Sequence, residues 1–215
     1  MKGSTHLAIG GVIGAAACLY YPFQWENALM YVSVAGVSAL SADLDGQNLL
    51  SGKLSKLSHW LRELAIWTGL LTIAFVAYMY FAQEKLYPVI TAIAVALSLL
   101  GFVTKEGTIR NVLVSLIGCV LLYSGWTSKQ NWLMGFGLFV VWVPWLDHRG
   151  MTHTVWALFL WGAIGMGLEK QLGIDGITIV SVAGYASHLL ADTLTPNGVK
   201  WLYPLYKKSI KIPLA

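Results

Sequence analysis

Charge is what this sequence has least of. Of 215 residues, 14 are basic and 10 acidic, and charged types make up 11% of the chain against 57% apolar. A soluble domain carries about 25% charged residues, and a water-facing surface for a chain of this length cannot be assembled from so few. Cysteine is scarce too. Cys18 and Cys119 both lie inside apolar runs, so neither a disulfide scaffold nor a thiolate-rich zinc centre is supported, and buried, reduced thiols are the simple reading. The net charge of +4 does not come from a basic stripe, because Lys and Arg stand scattered between apolar segments. That excludes nucleic acid as the expected partner and points to membrane orientation instead. Ser187 beside His188 lacks a nucleophile elbow, which argues against a Ser-His-Asp triad.

What the chain does have is long uncharged stretches. They cover 3–25, 27–42, 64–83, 86–104, 111–128, 130–146 and 150–168, with a shorter one at 176–191. A crossing needs about 20 mostly apolar residues, so the expected fold is all-α: one polytopic transmembrane helical domain over 1–215, with about eight apolar segments, some of them short or half-helices. Helices are expected near 7–22, 28–42, 64–83, 88–104, 111–127, 132–146, 154–168 and 176–192, with 43–63 as a long loop. Gly10 and Gly14, one turn apart, suit a close helix approach, and Pro144 is placed to bend or end its helix. The N-terminal apolar run reads as a retained helix rather than a signal peptide, since its basic n-region is poor.

Alternation of the segments places eleven of the fourteen basic residues on one side, leaving Lys85, Lys129 and Lys170 on the other. By the positive-inside rule the first side is cytoplasmic, with both termini there. The informative polar residues fall on that side as well, although the count used only Lys and Arg. His6 opens the first helix, Asp43 and Asp45 close the second, Asp147-His148-Arg149-Gly150-Met151-Thr152-His153 joins the sixth and seventh, and Ser187-His188-Leu189-Leu190-Ala191-Asp192 ends the eighth. Taken singly, each has an ordinary role: a helix cap, an Asp147–Arg149 ion pair, a turn at Asp45-Gly46. Together they include four of five histidines and four of five aspartates, the exceptions being His59 and Asp175. Carboxylates beside a membrane are costly without compensation, and a metal ion would supply it.

His188 and Asp192 are i,i+4 and share a helix face; His148 and His153 can converge if Gly150 turns the chain. Nitrogen and carboxylate ligands suit zinc, with manganese, iron or magnesium as alternatives. The expected cofactor is one or two divalent ions held by His6, Asp43, Asp45, His148, His153, His188 and Asp192. Asp43 or Asp45 is expected to handle a metal-activated water, and Arg149 to clamp a phosphate with its planar fork. Lys53 and Lys56 are candidates for drawing in an anionic headgroup. The expected reaction is hydrolysis of a phosphoester or phosphodiester in a phospholipid or lipid-linked substrate, with membrane lipids as the surroundings. The alternatives are a divalent-cation transporter and a noncatalytic membrane regulator with a structural metal.

Thr5-His6, Asp43-Leu44-Asp45, His148-Arg149-Gly150-Met151-Thr152-His153-Thr154 and the run from Gly184 to Val199, containing His188, Asp192, Thr195 and Gly198, resemble the bacterial inner-membrane metal-dependent hydrolase family (DUF457-type) that includes LexA-regulated members. The likeness spans the chain from His6 to Tyr203-Pro204. It implies metal-dependent hydrolysis at the cytoplasmic membrane, with His6, Asp43, Asp45, His148, His153, His188 and Asp192 as the ligand or catalytic set. Thr154 stands where the family usually has serine, and either hydroxyl can cap the following helix.

Overall fold

A computed structural model of the chain describes residues 1–46 and 51–212. Its described residues form eight α-helices: α1 (Gly3–Tyr20), α2 (Trp25–Ser41), α3 (Gly52–Gln83), α4 (Pro88–Val103), α5 (Glu106–Thr127), α6 (Asn131–Trp142), α7 (Val155–Leu172) and α8 (Ile177–Thr193). No β-strand occurs among those residues, only an isolated bridge between Val199 and Ile210. Four spans, Gly3–Tyr20, Trp25–Asp45, Gly52–Gln83 and Gly107–Thr127, are long and apolar enough to cross a membrane. The all-helical membrane architecture read from the uncharged runs is therefore the observed one.

The chain forms two compact units. One comprises Met1–Ser51 with Val114–Ala215; the other is Gly52–Leu113. In the second unit α3 and α4 form a hairpin held at small residues. A Cβ at Gly69 would lie 2.8 Å from the Ser98 nitrogen, and one at Gly101 would meet the Ile66 side chain at 2.5 Å. Arg62 Nε–H donates to the carbonyls of Gly101 and Thr104 at 3.0 and 3.1 Å, satisfying acceptors that the end of α4 leaves open.

The expected loop over 43–63 is corrected here. Chain beyond Gly52 is already helical, and Lys53, Lys56, Arg62 and Glu63 ride on the first turns of α3. Charged residues mark where apolar character stops, but Lys, Arg, Glu and Leu are good helix formers. The helix thus runs on past the apolar stretch. At about 1.5 Å per residue, its 32 residues outreach a hydrocarbon core of about 30 Å.

In the first unit α2 packs against α1 and α8, and α8 against α7. Gly10 and Gly14 make the α1–α2 approach: added Cβ atoms would lie 2.8 Å from the Ala35 carbonyl and 2.5 Å from Val32 Cα. Without bulk water to drive association, such backbone contact is how membrane helices gain dispersion energy. Ala17, Tyr31, Ala35, Ile177 and Val180 form the buried apolar cluster between them. At that end of the unit Tyr31 donates to the Asp175 carbonyl at 2.7 Å. The opposite end gathers the start of α1, the exit of α2, the entry to α7 and the exit of α8.

Local signals set these ends. Pro144 stops α6 at Trp142, and a 3-10 turn over Val143–Trp145 follows, because proline cannot donate to the preceding turn. Thr154 caps α7, its hydroxyl accepting from the Ala157 N–H at 3.3 Å. After α8, Thr195 to Gly198 makes a turn in which the Gly198 N–H donates to the Thr195 carbonyl at 3.1 Å. Gly198 has φ 65° there, a conformation that favours glycine.

Candidate metal centre

The second helix gives way directly to a 3-10 turn over Ala42–Asp45. That turn sets Asp43 and Asp45, separated only by Leu44, against different partners. Asp43 Oδ1 lies 3.4 Å from His188 Nε2 and 3.7 Å from His153 Nε2. Asp45 accepts from His148 Nδ1 at 2.7 Å through Oδ1, and from the Thr152 hydroxyl at 2.6 Å through Oδ2. Its Oδ2 also faces the backbone N–H of Arg149 at 3.3 Å. The first carboxylate faces the centre, whereas the second ties the 147–153 segment to α2.

All seven histidines and aspartates expected as ligands meet in this one cluster, and it holds three overlapping groups with ligand atoms within 4.8 Å: His6, Asp43, His188; His153, His188, Asp192; and Asp43, Asp45, His148. His6, His153, His188, Asp45 and Asp192 are buried, while the side chain of His148 is 53% exposed. Asp192 joins the cluster through both oxygens. Oδ2 lies 3.7 Å from His153 Nε2, 3.9 Å from His188 Nε2 and 3.1 Å from an Arg149 terminal nitrogen. Oδ1 lies 3.4 Å from His6 Nε2 and 2.8 Å from the Met1 amine.

Arg149 is held in an uncommon backbone conformation, φ 60°, which costs about 1–2 kcal/mol for a residue with a Cβ. Its guanidinium spans Asp192 and the Gly198 carbonyl, the latter at 3.3 Å. Strain held by several partners is a mark of functional positions. Lys53 and Lys56, by contrast, belong to the other unit, on α3.

Hydrogen bonding sets the tautomers of two histidines. His188 Nδ1 sits 2.7 Å from the Ala39 carbonyl, which can only accept, so Nδ1 carries the proton and Nε2 a lone pair. His153 Nδ1 lies 2.9 Å from the Thr152 oxygen, whose own proton goes to Asp45; Nδ1 is again the donor. The two Nε2 atoms face one another at 3.3 Å, both as acceptors. Burial pushes the His153 imidazole down to about 4, so the His153 ring does not carry a second proton near neutrality.

The donors around that gap are of the kinds that hold a divalent cation. Nε2 of His153 and His188, Oδ1 of Asp43 and Oδ2 of Asp192 are separated by 3.3 to 3.9 Å in the five pairs described. Four ligands about 2.0–2.1 Å from a tetrahedral zinc stand roughly 3.3–3.5 Å apart. His6 adds a second sign: both its ring nitrogens are buried and neither makes a well-formed hydrogen bond, Nε2 having only the 3.4 Å approach to Asp192, a costly state that a bound ion or water relieves. His148 behaves differently. The hydrogen bond from its ring to Asp45 holds its pKa above the ordinary histidine value, and its Nδ1 is engaged.

The seven titratable residues and Arg149 singled out in the sequence lie together in the structure. Thr152 was not among them, nor was Tyr185, whose hydroxyl donates to the Thr152 carbonyl at 2.6 Å. The signal for Thr152 was its place between Arg149 and His153; Tyr185 had none beyond its position one turn before His188.

A family model described as YdjM inner membrane protein matches residues 1–215. No curated protein and no solved structure matches the chain.

Proposed function

The chain belongs to the YdjM inner membrane protein family, the DUF457-type membrane family its motifs resemble, and from that membership we propose that it is a metal-dependent hydrolase acting on a phosphoester or phosphodiester of a lipid or lipid-linked substrate. The observation that carries the reading is the approach of His153 Nε2 to His188 Nε2 at 3.3 Å between the carboxylates of Asp43 and Asp192, an arrangement a divalent ion would bridge. Asp43, His153, His188 and Asp192 would hold a divalent ion, zinc by donor type, with His6 at its edge. When bound, such an ion polarises a phosphoryl oxygen and lowers the pKa of water.

The remaining residues divide the work. Asp45 orients His148 through Nδ1, so the other ring nitrogen is free to accept a proton from water or return it to a leaving oxygen. Arg149 stands beside Asp192 at 3.1 Å and supplies the planar donor fork for phosphate. The reading makes the cluster end cytoplasmic, because Lys2 begins that end and Lys200, Lys207, Lys208 and Lys211 follow α8. Transport has less support. Among the described residues every group able to hold a metal lies in this cluster, and a path across the membrane needs stations toward the far side as well.

The test uses full-length protein in lipid nanodiscs. Zinc content is measured for wild type, Asp43→Asn and His188→Ala, followed by phosphate release from phosphatidic acid and lipid pyrophosphates. Bound zinc lost in both folded variants, with metal-dependent product release, supports the reading. Zinc retained by both variants, or zinc flux through sealed vesicles without hydrolysis, overturns it.

A further inference from the structure

We infer that Thr152 is a positioning residue that fixes His153 as a metal ligand. The inference rests on the metal-binding reading above. The closest approach of Asp45 to His153 Nδ1 is 3.6 Å, too long for a hydrogen bond. The Thr152 hydroxyl fills the interval, donating to Asp45 Oδ2 at 2.6 Å and meeting His153 Nδ1 at 2.9 Å.

A hydroxyl has one proton and two lone pairs. Asp45 Oδ2 accepts that proton, which leaves only acceptor character toward His153. The imidazole must therefore carry its proton on Nδ1 and turn the Nε2 lone pair toward Asp43, His188 and Asp192. Thr152 is itself held from two sides. Its β-branch limits χ1, and its carbonyl accepts from Tyr185 on α8. His188 reaches the same tautomer by another route, through the Ala39 carbonyl. One ligand is thus anchored by backbone and the other by a side chain that a single substitution removes. Asp45 becomes the hub of this support, engaged with His148, Thr152 and the Arg149 N–H.

The decisive comparison is Thr152→Val, which keeps the shape and deletes the hydroxyl, against Thr152→Ser, which restores it. Zinc affinity is measured by chelator competition on the full chain in nanodiscs. The tautomer is read by nitrogen NMR of isotope-labelled histidine in metal-free protein, with His153 assigned by its absence from His153→Gln. Loss of such supporting partners weakens metal binding about 10–100-fold. Thr152→Val is expected to show that loss together with a shift of His153 away from the Nδ1–H form, and Thr152→Ser to restore both. Wild-type zinc affinity in Thr152→Val, or an Nδ1–H signal undisturbed in it, overturns the proposal. If Thr152→Val fails to fold, an Nε2–H form of His153 in metal-free wild type overturns it, while an Nδ1–H form lost in Thr152→Ala supports it. A wild type that binds no zinc yet shows the Thr152-dependent tautomer leaves the hydrogen-bond relay standing and ends the metal reading instead.

Discussion

The imidazole of His6 lies almost flat on that of His188, with ring centroids 3.8 Å apart and planes 21° from parallel. α1 and α8 are thereby joined at the centre through two rings, one of which has both nitrogens buried without a well-formed hydrogen bond. His6→Phe keeps the stacked surface and deletes the nitrogens. If the ring only packs, zinc affinity stays at the wild-type level; with the nitrogens facing the ion, chelator competition is expected to show at least about a tenfold loss without loss of helicity.

The α1–α2 approach at Gly14 is equally testable. A Cβ there would lie 2.5 Å from Val32 Cα, whereas at Gly11 nothing stands within 4 Å. Gly14→Val is expected to destabilise the protein by about 1–3 kcal/mol or more, read as a lower thermal midpoint in detergent. Zinc should fall with it, since His6 travels on α1. Gly11→Ala is expected to be neutral or to raise the midpoint slightly, by up to about 1 kcal/mol.

Acid should act on the metal-free protein through His153. Burial lowers its pKa from 6.5 to about 4, so between those values the unfolded chain binds a proton that the folded chain does not. Stability contributed by the neutral ring is therefore present above pH 6.5 and lost as the pH falls toward 4. Chemical unfolding across this window is expected to show a steeper decline for wild type than for His153→Gln. Equal slopes would show that the ring titrates normally.

Arg149→Lys retains the charge and the left-handed backbone but removes the planar fork. Hydrolysis of a lipid phosphoester is expected to fall at least tenfold, by about 1.4 kcal/mol of transition-state stabilisation, with zinc content unchanged. Kinetics indistinguishable from wild type would remove Arg149 from substrate binding. Arg149→Gly relieves φ 60° but removes a partner of buried Asp192, and the second effect is the larger, so the thermal midpoint is expected to fall together with turnover.

Hydropathy made the helices legible because a crossing segment must be apolar over most of its length, whatever its neighbours. The same signal misplaced the start of α3. Lys53 and Lys56 ended the apolar window but not the helix, since backbone hydrogen bonding continues where side chains leave the lipid. Convergence of His6, Asp43, His148, His153, His188 and Asp192 was legible from their shared side of the alternation, which is a counting argument. Division of labour between Asp43 and Asp45 was not. Two carboxylates one residue apart look interchangeable in sequence, and only the 3-10 turn decides which one faces His188 and which one reaches Thr152.

The order in which the donors leave the ribosome carries its own consequence. His6 and Asp43 emerge with the first hairpin and His153 before α7, but His188 and Asp192 arrive only with the eighth helix. A nascent chain halted before Ile177 has three of these five donors. On the metal-binding reading, ion capture would be an event of completed biogenesis, the enclosure closing only after the eighth helix has been made.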